Sequence, residues 1–140
     1  MNESRTLRIV IDNNVLVSQF LLPDSVPGQA FQKAYRHHTL VSSLPLLVEL
    51  AEVLSRKKFD GYATRAEREE FLKNISLTAV LVETPTRVSA CRDPKDNQVL
   101  EAAVNGDAQI IITGDQDLLN LDPFHGIRIL RPADYLQLEN

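Results

Sequence analysis

Leu7-Arg8-Ile9-Val10-Ile11-Asp12-Asn13-Asn14 and Gln109-Ile110-Ile111-Ile112-Thr113-Gly114-Asp115 are the two stretches whose reading decides the fold. Each carries a short, β-branched apolar run into an aspartate. The second is wholly apolar in its middle, the mark of a strand buried on both faces of a parallel sheet. Outward from these two, Thr39-Leu40-Val41-Ser42, Ala79-Val80-Leu81-Val82 and Ile127-Arg128-Ile129-Leu130 read as three more strands. Helical patterns fill the gaps: about 15–22, ending at Pro23; 29–36, after a loop over 24–28; and 44–55, apolar at 46, 47, 50, 51, 53 and 54. Pro45 falls in the first turn of that third helix, where proline is tolerated. Thr64-Arg65-Ala66-Glu67 fits a capping box for a helix to Ile75. A further helix spans 96–105 with Gly106 as its terminator, and Pro132 opens the last. Short strands alternating with helices predict an α/β fold built from βαβ units around a mainly parallel sheet of about five strands.

The 140 residues suit one domain, 1–140, and 44% hydrophobic content is enough for a core without disulfide or metal staples. The single cysteine, Cys91, excludes an intramolecular disulfide and fits a reducing cytosol. The start, Met1-Asn2-Glu3-Ser4-Arg5, is polar, and neither a signal-peptide core nor an apolar run near the ~20 residues of a membrane span follows. The expectation is a cytoplasmic protein with no membrane partner. The net charge of −4 argues against a uniformly basic nucleic-acid binder. About two divalent ions in an acidic site would offset it, leaving room for local basic patches.

The acids fall in a pattern. Asp12 follows the first strand and Asp115 the fourth, so both stand at the carboxyl ends of strands, where open parallel sheets form their ligand crevice. Glu49 lies early in the helix after the second strand. Asp96 opens the helix that feeds the fourth, on the face shared by Val99, Leu100 and Ala103. Each has a plainer reading alone: Asp12, Asp96 and Asp115 as helix caps, Glu49 as an exposed helix residue. Jointly, four carboxylates at one edge favour a site, because such a cluster is costly to bury without a cation. All-oxygen donors suit magnesium or manganese. Zinc fits poorly, since His37, His38, His125 and Cys91 have no ligand spacing.

Four blocks, taken in order, resemble a PIN domain, the fold of many bacterial toxin–antitoxin ribonucleases of the VapC-like type. They are Asp12-Asn13-Asn14-Val15-Leu16-Val17-Ser18; Leu47-Val48-Glu49-Leu50; Arg92-Asp93-Pro94-Lys95-Asp96-Asn97; and Thr113-Gly114-Asp115-Gln116-Asp117-Leu118. The resemblance covers 8–136. It implies a three-layer α/β/α fold and a metal-dependent endoribonuclease. It also implies an RNA substrate, a cognate antitoxin and a homodimer. Asp12, Glu49, Asp96 and Asp115 carry over as catalytic metal ligands, with Asp117 as a helper and Asn14 and Thr113 orienting ligands or phosphate. Two positions depart from the family pattern: Asn13 stands for the usual threonine or serine, and Asn97 for a frequent third aspartate. The second removes a charge beside the metal and leaves open a weak or inactive module that binds RNA or a partner.

Arg56-Lys57-Lys58, with Arg36-His37-His38, are candidates to track an RNA backbone; the plainer reading is basic residues matching a helix C-terminus. Cys91 reads as a packed residue, not a nucleophile. A haloacid-type phosphatase would want an aspartate where Asn14 stands. A receiver domain would want a lysine after a late strand, and none follows 127–130. A structure-specific DNA nuclease needs added elements to grip a duplex, for which this length leaves little room.

Overall fold

The computed structural model describes residues 6–139; the polar start read above, 1–5, lies outside them. The chain runs β1 (Arg8–Ile11), α1 (Asn13–Leu21), α2 (Val26–His37), β2 (Thr39–Ser42), α3 (Leu44–Leu54), a 3₁₀ turn (Lys57–Phe59), α4 (Arg65–Thr78), β3 (Val80–Leu81), α5 (Pro94–Asn105), β4 (Ile110–Ile112), α6 (Gln116–Leu119), β5 (Arg128–Leu130) and α7 (Pro132–Leu136). All strands pair in parallel, in the order β3-β2-β1-β4-β5.

Strand alternation builds three layers. Ile9, Ile11, Leu40, Ile110, Ile112 and Leu130 point to one face, where they pack with residues of α1–α4 and α7. Val10, Val41, Ile111 and Ile129 point to the other, against Val99, Leu100, Ala102 and Ala103 of α5 and Leu118 of α6. From β1 the chain winds outward to β2 and β3, then crosses back to β4 and β5. The order therefore reverses between β1 and β4, and at such a reversal the carboxyl ends of the strands part into a crevice.

Several boundaries differ from the sequence reading, each for a local reason. α2 starts at Val26, not 29: the Ser25 hydroxyl accepts from the Gly28 N–H, and proline is tolerated in the first turn. α4 keeps its capping box, Thr64 with Glu67, but runs on to Thr78. That extension shortens β3 to two exposed residues on the sheet's edge, paired with β2 among the described residues. α5 starts at Pro94, because the Asp93 carboxylate takes the capping role and accepts from the Lys95 N–H. Gly106 does end that helix, by close approach and not by a left-handed φ: a Cβ there would lie 2.7 Å from Val41 Cγ1. No helix among the described residues is long and apolar enough to cross a membrane.

Candidate metal centre

The β1–β4 register sets the first two acids side by side. Ile11 pairs with Ile112, and the Asp12 N–H donates to the Ile112 carbonyl at 2.9 Å. Thr113, fully buried, then stands between Asp12 and Asp115. Its hydroxyl donates to Asp12 Oδ2 at 2.7 Å and accepts from the Asp115 N–H at 3.0 Å. One hydroxyl proton is available, so accepting from Asp115 leaves it directed at Asp12. The capping readings of Asp12 and Asp115 hold as well. Asp12 Oδ1 accepts from the Asn14 N–H at 3.4 Å, and Asp115 Oδ1 from the Asp117 N–H at 2.9 Å. Each aspartate thus opens a helix and faces the crevice.

Asp96 lies in the first turn of α5, two residues beyond the proline, and its carboxylate meets that of Asp115. Asp96, Asp115 and Asp117 each place an oxygen within 4.8 Å of the other two. Burial, then the charge of Asp115, a hydrogen bond with it, and the charges of Asp93 and Asp12 push the Asp96 carboxyl up to about 7. Burial raises Asp12 above the usual carboxylate range too. The bonds from Thr113 and Asn14 oppose this, and the charges of Glu49 and Asp115 add to it. Glu49 reaches the group from α3, where Oε1 accepts from Asn13 Nδ2 at 2.8 Å. Cys91 also borders the aspartates: burial first, then Asp96, Asp115, Asp117 and Asp93 push its thiol up, away from thiolate chemistry.

The tightest triangle therefore includes Asp117, read from sequence only as a helper. Asp12 and Glu49 flank it. Asn14 is exposed and contributes its backbone N–H, whereas the neighbouring Asn13 carboxamide is buried and holds Glu49. Asn97 does not join the acids. Its Oδ1 accepts from the N–H groups of Ala90 and Cys91 at 3.0 and 2.8 Å, pinning the strap that leads into α5. The same helix continues that ladder. Glu101 accepts from the Val88 N–H, and Asn105 bonds both N–H and carbonyl of Thr86.

The basic candidates are not brought to this edge. α3 leaves β2 at the acid edge and runs back across the sheet, so Arg56, Lys57 and Lys58 follow its far end. Arg36, His37 and His38 lead into the amino end of β2, where the Leu7 N–H donates to His38 Nδ1. The cations at the acid edge are others. Arg92 Nη2 lies 3.3 Å from Asp117 Oδ1, Lys95 sits in the first turn of α5, and Arg131 Nη2 donates to Gln116 Oε1 at 2.8 Å. Sequence reading missed all three; their place after strand ends or at a helix start was the available signal.

All-oxygen donors crowded enough to hold a proton near neutrality fit a hard divalent cation, whose charge would replace that proton.

The family profile described as PIN domain matches residues 8–117, a span that contains all five crevice acids. Uncharacterized protein MJ1680 of Methanocaldococcus jannaschii is 30% identical over 121 residues, covering 85% of this chain and 77% of that protein. Two solved structures are alike in fold. The VapBC2 structure from Rickettsia felis, bound to a DNA fragment from their promoter, has a TM-score of 0.62 at 10% identity, covering 88% of this chain and 97% of that one. PAE2754 from Pyrobaculum aerophilum has a TM-score of 0.62 at 14% identity, covering 94% of this chain and 88% of that one.

Proposed function

The chain belongs to the PIN-domain family, and from that premise we propose that it is a metal-dependent endoribonuclease, the toxin of a toxin–antitoxin pair. The observation that carries the reading is the Asp96–Asp115–Asp117 triangle with Asp12 and Glu49 beside it, at the point where the sheet order reverses. Magnesium or manganese held by Asp12, Glu49, Asp96 and Asp115, with Asp117 in support, would lower the pKa of water and offset charge on a phosphodiester. The chain's own part is to hold five carboxylates in place, Asp12 and Asp115 through backbone or hydroxyl donors and Glu49 through the Asn13 carboxamide. In the metal-free protein the Asp96 carboxyl holds its proton up to about 7, so uptake of a cation there would release a proton in neutral solution.

Arg92, Lys95 and Arg131 take the place of Arg56, Lys57 and Lys58 as the RNA contacts of this reading, because they border the acids. They are exposed and few, so they suit a single strand led across the edge better than a gripped duplex. The rival reading, a module that binds RNA without cutting, rested on Asn97. With that side chain spent on the 90–91 backbone, no feature of the acid group favours it.

The test is direct. Purified protein incubated with end-labelled mixed RNA should cut it with Mg²⁺ or Mn²⁺ and stop on chelation. Cutting that survives exhaustive chelation, or no cutting with either metal, overturns the reading.

The antitoxin is proposed by analogy with the Rickettsia felis complex. A cytoplasmic location follows from an RNA substrate and the lone thiol. A homodimer is supported by exposed apolar residues on neighbouring elements. Leu44 and Val48 of α3, Leu77 of α4 and Val80 and Leu81 of the edge strand are all exposed. Contiguous apolar surface marks interfaces, and a twofold dimer is the commonest way to close one. Sedimentation at micromolar concentration should give twice the chain mass; a strict monomer would remove the dimer.

A further inference from the structure

Asn13 is 3% exposed and is the first residue of α1, directly after Asp12. Its Nδ2 donates twice, to the Leu46 carbonyl and to Glu49 Oε1, both at 2.8 Å. Both partners are acceptors, so the orientation of the amide is fixed by its surroundings and not by choice. Burying a carboxamide is unfavourable unless such bonds are made. The Leu46 carbonyl belongs to the first turn of α3, and Glu49 lies one turn further on. Asn13 therefore spans the step between the two, anchoring on the helix and holding the carboxylate by one oxygen.

From this geometry we infer that Asn13 is a positioning residue for metal uptake: it acts through Glu49, fixing Oε1 so that the other oxygen is presented to the cation. The same β1–α1 turn then sets two acids at once, Asp12 by its backbone and Glu49 through its neighbour's side chain. A threonine or serine here has one hydroxyl proton and cannot donate to both acceptors, so asparagine at this position adds a bond. The inference rests on the metal-dependent reading above.

The experiment is Mn²⁺ calorimetry on metal-free wild type, Asn13→Ala, Asn13→Leu, Glu49→Ala and the Asn13→Ala/Glu49→Ala pair, with thermal midpoints taken in chelator. Leucine keeps about the side-chain size and shape while removing the amide's polar atoms, so it serves if alanine fails to fold. The expected result is Mn²⁺ binding weakened about tenfold in folded Asn13 variants, the usual cost of losing a group that orients a ligand. On the Glu49→Ala background, Asn13→Ala should weaken it no further. Variants that bind like wild type overturn the inference, as does a loss that persists in full without Glu49, which would mean that Asn13 acts on the fold or on another acid. Wild type that takes up no Mn²⁺ overturns the metal reading itself, and the inference with it.

Discussion

Asp115→Asn is expected to cut RNA more than about a hundredfold more slowly than wild type while remaining folded. Groups that merely orient a metal ligand cost about 10–100-fold when removed, and loss of a direct ligand exceeds that. The substitution is clean because asparagine keeps an oxygen for the Asp117 N–H, so the cap on α6 survives. The Asp115 N–H also still meets Thr113, so the hydroxyl stays directed at Asp12. What disappears is a charge at the centre of the group, the one that most raises Asp96 after burial and that also raises Asp12. Asp93→Asn is the control: its carboxylate caps α5 through the Lys95 N–H, and asparagine caps equally well. Near-wild-type cutting by Asp115→Asn, with circular dichroism showing a native fold, would displace Asp115 from the site.

The contrast between Asp93 and Asp96 shows how far sequence alone could reach. Pro94 restricts the residue before it to an extended conformation, which marks Asp93 as a turn residue and leaves Asp96 to face inward. That reasoning uses neighbours in the chain. The strands were legible for the same reason: β-branched runs at 8–11 and 110–112 are local signals, while β3, a weak edge pair, was overdrawn at both ends. What could not be read were contacts across the fold. Asn13 meets Glu49 at a separation of 36 residues, so it was noticed only as a departure from a pattern. Asn97 stands where the family pattern frequently has a third aspartate, yet on a helix adjacent residues point about 100° apart, and here 97 turns to the 90–91 backbone. The position of the basic run 56–58 relative to the acids was likewise set by the fold. A helix after a parallel strand runs back toward the opposite edge, so its end lies far from a site at its start.

Without metal, the folding stability of the wild type should decline relative to Asp96→Asn as pH rises from about 4 to above 7. Folding lifts the Asp96 carboxyl from its ordinary 3.8 to about 7. Between those values the folded chain keeps a proton that the unfolded chain has released. Stability falls with pH wherever the folded state binds more protons, so the favourable contribution is complete below the unfolded value and is lost as pH passes the folded one. Asparagine carries no such proton and shows no such loss. The two proteins should therefore melt alike near pH 4, and the variant should melt higher above pH 7. Asp96 is partly exposed, so solvent screening cuts the effect to about 1 kcal/mol, or ~3 °C in midpoint. Saturating Mn²⁺ should reverse the order above pH 7. A cation bound to the folded state stabilises it by mass action and takes the proton's place, and the variant has lost a ligand. Thermal scans from pH 4 to 8, with chelator and with Mn²⁺, provide the measurement. Parallel profiles in chelator would mean that Asp96 ionises as an ordinary aspartate and that the acids are not crowded. Reversal in chelator alone would assign Asp96 a stabilising charge partner and remove it from the cation site.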